Sequence, residues 1–237
     1  MQVPSPRIHV LTGGPYHPVT QQFQEFQDDL GSEARITFHD GVAAFDHLDD
    51  CDLLVLGGLH WTGSAPDQHL WPEGVERCGY RRPTEAQKSA YVRYVASGRP
   101  LLGWHGGIAS YDDWPEFGLL IGFRWDWQVT AHTVIREWEV KVQPAGHSAI
   151  EGVGDYRLCD ELYYNVQVTP GMAFAVHAFA HIPDVGVRFP MIMTGEGGRI
   201  GGAGRTAYLA NGHDLRATSC PALRRAVINT IYWLLSK

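Results

Sequence analysis

Residues 100–107 read PLLGWHGG, the segment of the chain that says most about its fold. A short apolar run stops abruptly at His105-Gly106-Gly107, which is the strand, sharp turn and helix pattern of a nucleophile elbow. In such an elbow the central residue is held exposed above the edge of a sheet. Here that residue is His105, and a histidine in this place can act as a general base, a proton donor or a metal ligand.

Strand-like and helical patterns alternate on the N-terminal side of this elbow. Apolar runs predict strands at 7–12, 34–38, 52–56 and 100–104, and periodic segments predict helices at 19–30 and 84–98. This alternation predicts an α/β fold with a doubly wound, mostly parallel sheet, whose ligands bind beyond the carboxyl ends of the strands. Residues 58–83 are long for a connection and rich in Gly, Pro and Trp, which predicts a functional loop.

The C-terminal half has a different, β-rich pattern. Apolar runs predict strands at 133–142, 173–179, 189–194 and 205–210, with a hairpin turn at Glu196-Gly197-Gly198. A last apolar period runs to residue 235, and Thr218 or Ser219 is expected to cap that helix. We find no linker and no internal repeat, so residues 1–237 are expected to form a single domain.

Composition excludes several classes of protein. The formal net charge of -7 comes from scattered carboxylates, which argues against a nucleic-acid partner. No stretch approaches ~18 consecutive apolar residues, and the first seven residues have no apolar signal region. We therefore expect a soluble, cytoplasmic protein without a membrane partner. Eight Trp, twelve His and twenty-seven Gly suit a site for a polar small molecule.

Further polar side chains follow the predicted strands. His60 and Trp61 come just after the strand at 52–56, and His213 follows the strand at 205–210. Asp160 and Glu161 are adjacent, so in a strand they would point to opposite faces and only one could enter a given site. Each of these residues also has a plain structural explanation, as a turn, cap or core residue, and the spacing alone leaves both explanations open.

The order of several motifs resembles the ThuA (trehalose utilisation) family, a branch of the class I glutamine amidotransferase-like superfamily. The motifs are Gly103-Trp104-His105-Gly106-Gly107 with Trp114, Gly146-His147-Ser148-Ala149-Ile150, Asp160-Glu161-Leu162-Tyr163, Gly204-Arg205, Gly212-His213-Asp214 and a terminal helix with Trp233. The resemblance implies a flavodoxin-like, three-layer fold. It also implies carbohydrate metabolism, in particular the handling of disaccharides oxidised to 3-keto-sugars. Amidotransferases of this fold carry a cysteine nucleophile where this chain has His105, so we do not expect glutaminase activity.

The resemblance also suggests roles for individual residues. It favours Glu161 as the inward acid or base and, by analogy with the histidine that partners the elbow cysteine, places His213 opposite His105; these three are the expected catalytic residues. The expected substrate-binding residues are His60, Trp61, Trp104, Gly106, Trp114, His132 and Tyr163. The residues His60, His105 and His213, with Glu161, would suit zinc or another divalent metal, although nothing in their spacing requires one.

Three functions follow from these expectations. The first is an enzyme that acts on a keto-disaccharide or keto-glycoside by acid/base chemistry, as a hydrolase, lyase or isomerase without a redox cofactor. The second is a carbohydrate-binding or regulatory protein that keeps the fold without catalysis, and the third is a metal-dependent hydrolase. The partner in each case is a small-molecule carbohydrate, and a homo-oligomer stays open.

Overall fold

The computed structural model describes residues 5–62, 79–144, 146–183, 186–196 and 204–236. Most of the predicted loop at 58–83 and Gly197-Gly198 of the predicted hairpin turn lie outside these ranges. The described strands are β1 (Arg7–Thr12), β2 (Arg35–Asp40), β3 (Leu53–Leu56), β4 (Leu101–Trp104), β5 (Phe123–Arg124), β6 (Ala131–His132), β7 (Arg136–Val142), β8 (Tyr156–Asp160), β9 (Tyr163–Tyr164), β10 (Gln167–Val168), β11 (Ala175–Ile182), β12 (Val187–Gly195) and β13 (Thr206–Leu209). The described α-helices are α1 (Val19–Leu30), α2 (Glu85–Ala96), α3 (Pro115–Ile121), α4 (Leu215–Thr218) and α5 (Pro221–Leu235).

Nine of these strands form one mixed sheet in the order β2-β1-β3-β4-β13-β12-β11-β7-β8. The first five run parallel to one another, and the remaining four are joined by antiparallel pairings. This confirms the predicted α/β class with a mostly parallel core and a β-rich C-terminal half. Strands β3 and β4 are buried at every position, as expected for parallel strands covered on both faces.

Local sequence signals explain where two of the described helices begin. The Thr84 side chain accepts a hydrogen bond from the Gln87 amide in a capping box, which agrees with the predicted start of this helix at residue 84. The predicted cap of the last helix was wrong. Asp214 caps the short helix α4, Thr218 is its last residue and Ser219 follows it, so α5 begins only after Cys220. The elbow at His105 leads into a 3-10 turn (His105–Ala109) rather than directly into an α-helix.

The antiparallel part of the sheet curls back over the parallel part. β8 is four strand positions from β13, which in a flat sheet would separate them by about 19 Å. Yet the Asp160 carboxylate, at the end of β8, accepts a hydrogen bond from the Gly212 amide just beyond β13 at 2.9 Å. Counting the antiparallel pairings from β13 outwards, β8 runs in the same direction as β13. The curl therefore brings their carboxyl ends together.

No helix in the described part of the chain is long and apolar enough to span a membrane.

Candidate active site

His105 lies at the end of β4 in a strained and fully buried position. Its φ of 41° is in the left-handed region, which a non-glycine residue adopts at a cost of ~1–3 kcal/mol. Nδ1 of the ring lies 2.6 Å from the Ala210 carbonyl oxygen. Because a carbonyl can only accept, Nδ1 must carry a proton. The other ring nitrogen, Nε2, lies 3.2 Å from Oε1 of Glu161.

Glu161 is the centre on which several imidazole rings converge. Nδ1 of His213 is 3.1 Å from Oε1, and Nδ1 of His132 is 3.0 Å from Oε2. The Glu161 side chain is only 8% exposed. Burial alone would raise the pKa of this carboxyl group, but the interactions with His105, His132 and His213 outweigh burial and hold the pKa far below its usual range. Glu161 is therefore ionised at any physiological pH.

The carboxylate also changes the protonation of its neighbours. It raises the pKa of His132 by hydrogen bonding, against the opposing effect of burial. At His213 burial acts to lower the pKa, but Glu161 and the nearby acidic residues Asp160 and Asp214 raise it overall. Rings with raised pKa values beside a fixed anion are able to hold and transfer protons near neutral pH.

Asp160 holds the backbone around this group in place. Its two carboxylate oxygens accept hydrogen bonds from the amides of Glu161, Gly212 and His213 and from the side chain of Asn211, at 2.9–3.1 Å. Asp160 is 1% exposed, so these bonds replace its hydration completely. The adjacent carboxylates of the sequence thus have separate tasks: Asp160 holds the backbone, and Glu161 faces the histidines.

His17 is a member of this group that the sequence reasoning missed. Its ring is edge-on to those of His105 and His213, with centroid separations of 4.8 and 5.0 Å. Burial, together with these two neighbouring rings, lowers the pKa of His17 well below its usual value. The signal was present, because His17 lies between the predicted strand at 7–12 and the predicted helix at 19–30, at the same carboxyl edge as His105.

Tyr163, Gly106 and His132 border the group, as predicted for substrate-binding residues. The Tyr163 ring stacks on His105 with centroids 4.2 Å apart. A Cβ atom on Gly106 would lie 2.6 Å from Cε1 of His17, so only glycine leaves room for that ring. The His132 side chain is 54% exposed, which makes it the most open of the rings around Glu161. Their contact with a substrate stays a prediction.

His60 and Trp61 are placed differently from the group around Glu161. Nε2 of His60 lies 2.8 Å from the Thr12 carbonyl oxygen, and the ring fills the space beside Gly13 and Gly41. Of the predicted metal ligands, the structure thus brings together His105 and His213 but not His60. Trp61 is 1% exposed and stacks on Trp127 with centroids 6.1 Å apart.

Trp104 and Trp114 lie in the hydrophobic core rather than at the group. Trp104 is fully buried against Phe23 and Phe26, and its Nε1 donates to the Gln22 side chain at 3.2 Å. Trp114 is 5% exposed and packs against aromatic side chains of α2 and α3. With the indole faces covered by protein, neither ring is available to stack on a sugar, so the predicted substrate contact gives way to a packing role for both.

The geometry defines one cluster with the chemistry of both a proton-transfer site and a metal site. His17, His105, Glu161 and His213 each offer a ligand atom, and these atoms all lie within 4.8 Å of one another. We call these four residues the Glu161 cluster. Three imidazoles and one carboxylate form a donor set that suits zinc and neighbouring divalent metals.

Comparison with known proteins places the chain in a family. Residues 12–234 match the family model for ThuA, described as trehalose utilisation. The chain belongs to the ThuA family. This membership confirms the resemblance drawn from the motifs and indicates a carbohydrate-related role. A search of curated proteins found no significant match.

Solved structures show the same fold at low sequence identity. A ThuA-like protein from Parabacteroides merdae superposes with a TM-score of 0.70 at 13% identity, covering 98% of this chain and 90% of that one. A ThuA-like protein from Bacteroides uniformis gives 0.66 at 15% identity, covering 100% and 95%. A glutamine amidotransferase from Thermotoga maritima gives 0.51 at 8% identity, covering 98% and 99%. These similarities confirm the amidotransferase-like fold and leave the chemistry to the residues of the site.

Proposed function

We propose that this ThuA family member is an enzyme of carbohydrate metabolism that acts on a keto-disaccharide or keto-glycoside by proton transfer. The observation that carries the proposal is the convergence of His105, His132 and His213 on the ionised carboxylate of Glu161, with separations of 3.0–3.2 Å. A binding site for a neutral sugar has no need for this arrangement. Acid/base chemistry needs it, because a base and an acid must come within hydrogen-bond reach of the same substrate.

A keto-sugar suits such a site because its carbonyl group acidifies the neighbouring C–H bond. A base removes that proton, and in an elimination the C–O bond to the leaving sugar then breaks with its electron pair, while an acid protonates the departing oxygen. Addition of water to the resulting double bond gives net hydrolysis. If no C–O bond breaks, return of a proton to a different carbon of the enolate gives isomerisation instead. No redox cofactor takes part in any of these reactions.

The exposure of each ring supports a division of labour. His213 and His132 have partly exposed side chains, at 17% and 54%, whereas His105 is at 1%. The two more open rings can exchange protons with a substrate and with water. Glu161 and the buried His105 fix their orientation and supply the negative charge that keeps His132 and His213 ready to be protonated.

Glutaminase activity does not fit the same site. That reaction passes through a thioester and requires a thiolate nucleophile at the elbow, and this chain has His105 there. The two other functions considered for the sequence remain distinct alternatives. A non-catalytic binding protein would bind the sugar without turnover, and a metal-dependent hydrolase would need a cation at the Glu161 cluster.

Turnover of 3-keto-trehalose and 3-keto-glucosides by the wild type and by His105→Asn tests the proposal. Asparagine tolerates a left-handed backbone and can still donate to the Ala210 carbonyl, so the variant removes the Nε2 side of the ring with little disturbance. We expect wild-type turnover to fall at least ~100-fold in the variant, and His181→Asn, at an exposed position of β11, to leave it unchanged. Tight sugar binding by the wild type without any turnover would favour the binding protein instead.

A further inference from the structure

We infer that the Glu161 cluster binds one divalent transition-metal ion of the zinc class, with His17, His105, Glu161 and His213 as its ligands. The inference rests on the proposed function for its biochemical meaning, but the binding itself can be measured without any substrate. It differs from the expectation drawn from the sequence, because His17 takes part and His60 does not.

The first argument comes from the proton on His105. Since Nδ1 is committed as a donor to the Ala210 carbonyl, a neutral His105 presents only a lone pair at Nε2. The atom opposite, 3.2 Å away, is a carboxylate oxygen of Glu161, which is also an acceptor. Two acceptors at this separation repel each other unless a positive charge lies between them. A second proton on His105 or a shared metal ion can supply that charge.

The second argument comes from distances. Zinc binds nitrogen and oxygen ligands at about 2.0–2.1 Å, so the ligand atoms around a tetrahedral ion are about 3.3 Å apart. Oε1 of Glu161 is 3.2 Å from Nε2 of His105 and 3.1 Å from Nδ1 of His213. The four donor atoms of the cluster all lie within 4.8 Å of one another, so small side-chain rotations would bring all of them onto one ion.

The third argument favours the metal over a second proton. Nδ1 of His17 is buried without a hydrogen-bond partner among the described residues, and Nδ1 of His213, although close to Glu161, is not aligned for a hydrogen bond. A proton on His105 would leave both nitrogens unsatisfied, at a cost of ~1–3 kcal/mol for each buried group. A metal ion bound by all four residues would satisfy both nitrogens, which one proton on His105 cannot do.

The surroundings of the cluster have the features that support metal ligands. The Ala210 carbonyl fixes the tautomer and orientation of His105, as the outer partner of a metal-bound histidine usually does. His132 lies against the second oxygen of Glu161 at 3.0 Å, leaving Oε1 for the ion. Asp160 holds the backbone amides of Glu161 and His213, so one buried residue positions two of the ligands.

A bound ion would activate the carbonyl group of the substrate in the proposed reaction. A zinc ion held by four protein ligands would have to expand to five-coordination to accept a substrate oxygen, and a metal ion that accepts a carbonyl oxygen polarises it as a Lewis acid. For a keto-sugar this would strengthen the acidity of the neighbouring C–H bond. His132, which borders the cluster without belonging to it, would then be the side chain left free to transfer the proton.

Calorimetric titration of the metal-free protein with Zn²⁺ tests the inference, with Mg²⁺ as the comparison ion because it prefers oxygen ligands. We expect one zinc ion per chain and no comparable binding of Mg²⁺. His17→Gln and Glu161→Gln should each weaken zinc binding at least ~10-fold, and His181→Asn should leave it unchanged. The melting temperature of each variant in the presence of a chelator verifies that it is folded.

Three results would overturn the inference: no stoichiometric zinc binding by the wild type, unchanged affinity in both cluster variants, or equal loss in the His181→Asn control. The failure of the metal inference is separable from failure of the proposed function. Turnover of keto-glycosides by protein that binds no metal would remove the metal and keep the enzyme. Stoichiometric zinc binding at these residues without turnover of any keto-sugar would keep the metal site and remove the proposed reaction.

Discussion

Two groups of histidines in this protein show how strongly position controls the chemistry of one residue type. In the first, His132 and His213 surround the Glu161 carboxylate, which raises their pKa values. In the second, the His39 ring stacks on His47 and packs at a tilt against His9, with ring centroids 4.6 and 4.8 Å apart. Among the described residues no carboxylate forms an ion pair with the second group, and burial lowers the pKa of His39 to about 4.

The two groups differ because only the first surrounds a charged side chain, the carboxylate of Glu161. Its members come from the ends of different strands and are brought to one carboxylate by the curl of the sheet. In the second group His9 lies on β1, His39 on the neighbouring β2 and His47 in the 3-10 helix that follows β2, and the rings pack against each other as weakly polar aromatics. A histidine-rich sequence therefore does not define a site until an anion and a strand end are placed beside the rings.

Removing the charge of the first group should have the largest effect. Glu161→Gln keeps the shape of the side chain but removes the anion on which three imidazoles converge. We expect kcat/KM for a 3-keto-glycoside to fall by roughly 10²–10⁴, measured by product formation under identical metal loading. Glu139→Gln, on an exposed position of β7, is the matched control and should retain full activity. Equal losses in both variants would show that the anion has no special role.

The next largest effect should come from the residue that holds the site from behind. In Asp160→Asn, either orientation of the amide places its NH₂ group against two of the four donors that now point at the carboxylate. We expect a loss of about 3 kcal/mol in the free energy of unfolding, measured by urea denaturation. Asp28→Asn, exposed on α1, should change stability by less than ~0.5 kcal/mol. A stable Asp160→Asn variant would contradict the positioning role.

A smaller, local effect is expected at Gly106. The Cβ atom of Gly106→Ala would lie 2.6 Å from Cε1 of His17, so the ring must move away from the cluster. We expect about a 10-fold loss of zinc affinity, which corresponds to ~1.4 kcal/mol, with the fold retained by circular dichroism. Gly154→Ala is the matched control, because a Cβ atom there meets no atom within 4 Å. Unchanged affinity in Gly106→Ala would remove His17 from the site.

The second group of histidines should show its nature in the pH dependence of stability. With a folded pKa of about 4 and an ordinary value of 6.5 when unfolded, His39 makes the unfolded state bind more protons between these values. Stability is therefore lost as the pH falls through this window. The wild type should therefore lose more of its free energy of unfolding between pH 7 and pH 4.5 than the His39→Asn variant does. Because the ring is partly open to solvent, we expect this difference to be only about 1 kcal/mol. Parallel pH profiles for variant and wild type would contradict this.

In a doubly wound sheet, ligands bind beyond the carboxyl ends of the parallel strands. This rule explains how much of the site could be predicted from the sequence. It placed His105 and His213 at one edge correctly, and the family resemblance chose Glu161 over Asp160. The same rule also selected His60, but chain position fixes the edge and not the direction of a side chain, and the Thr12 carbonyl turns His60 elsewhere. His17 was missed because a loop of Gly and Pro gives no periodicity from which to judge its depth.

Burial was the other quantity that the sequence could not supply. Trp104 and Trp114 have the chemistry of sugar-stacking residues, but large aromatics are equally suited to a core. Here both pack against other aromatic rings. Eight of the nine strands of the main sheet were predicted because their apolar runs and glycine stops are local, whereas β8 was missed. The curl that joins β8 to β13 depends on contacts distant in sequence, so no local pattern indicated that Asp160 would reach Gly212.

The most direct test of the Glu161 cluster as the functional centre is a crystal structure of the protein grown with Zn²⁺, with anomalous diffraction measured at the zinc absorption edge. We predict a single strong anomalous peak about 2.0–2.2 Å from ligand atoms of His17, His105, Glu161 and His213. An empty cluster at saturating zinc, with Nε2 of His105 still directly hydrogen bonded to Glu161, would contradict the metal site and leave proton transfer by the histidines alone.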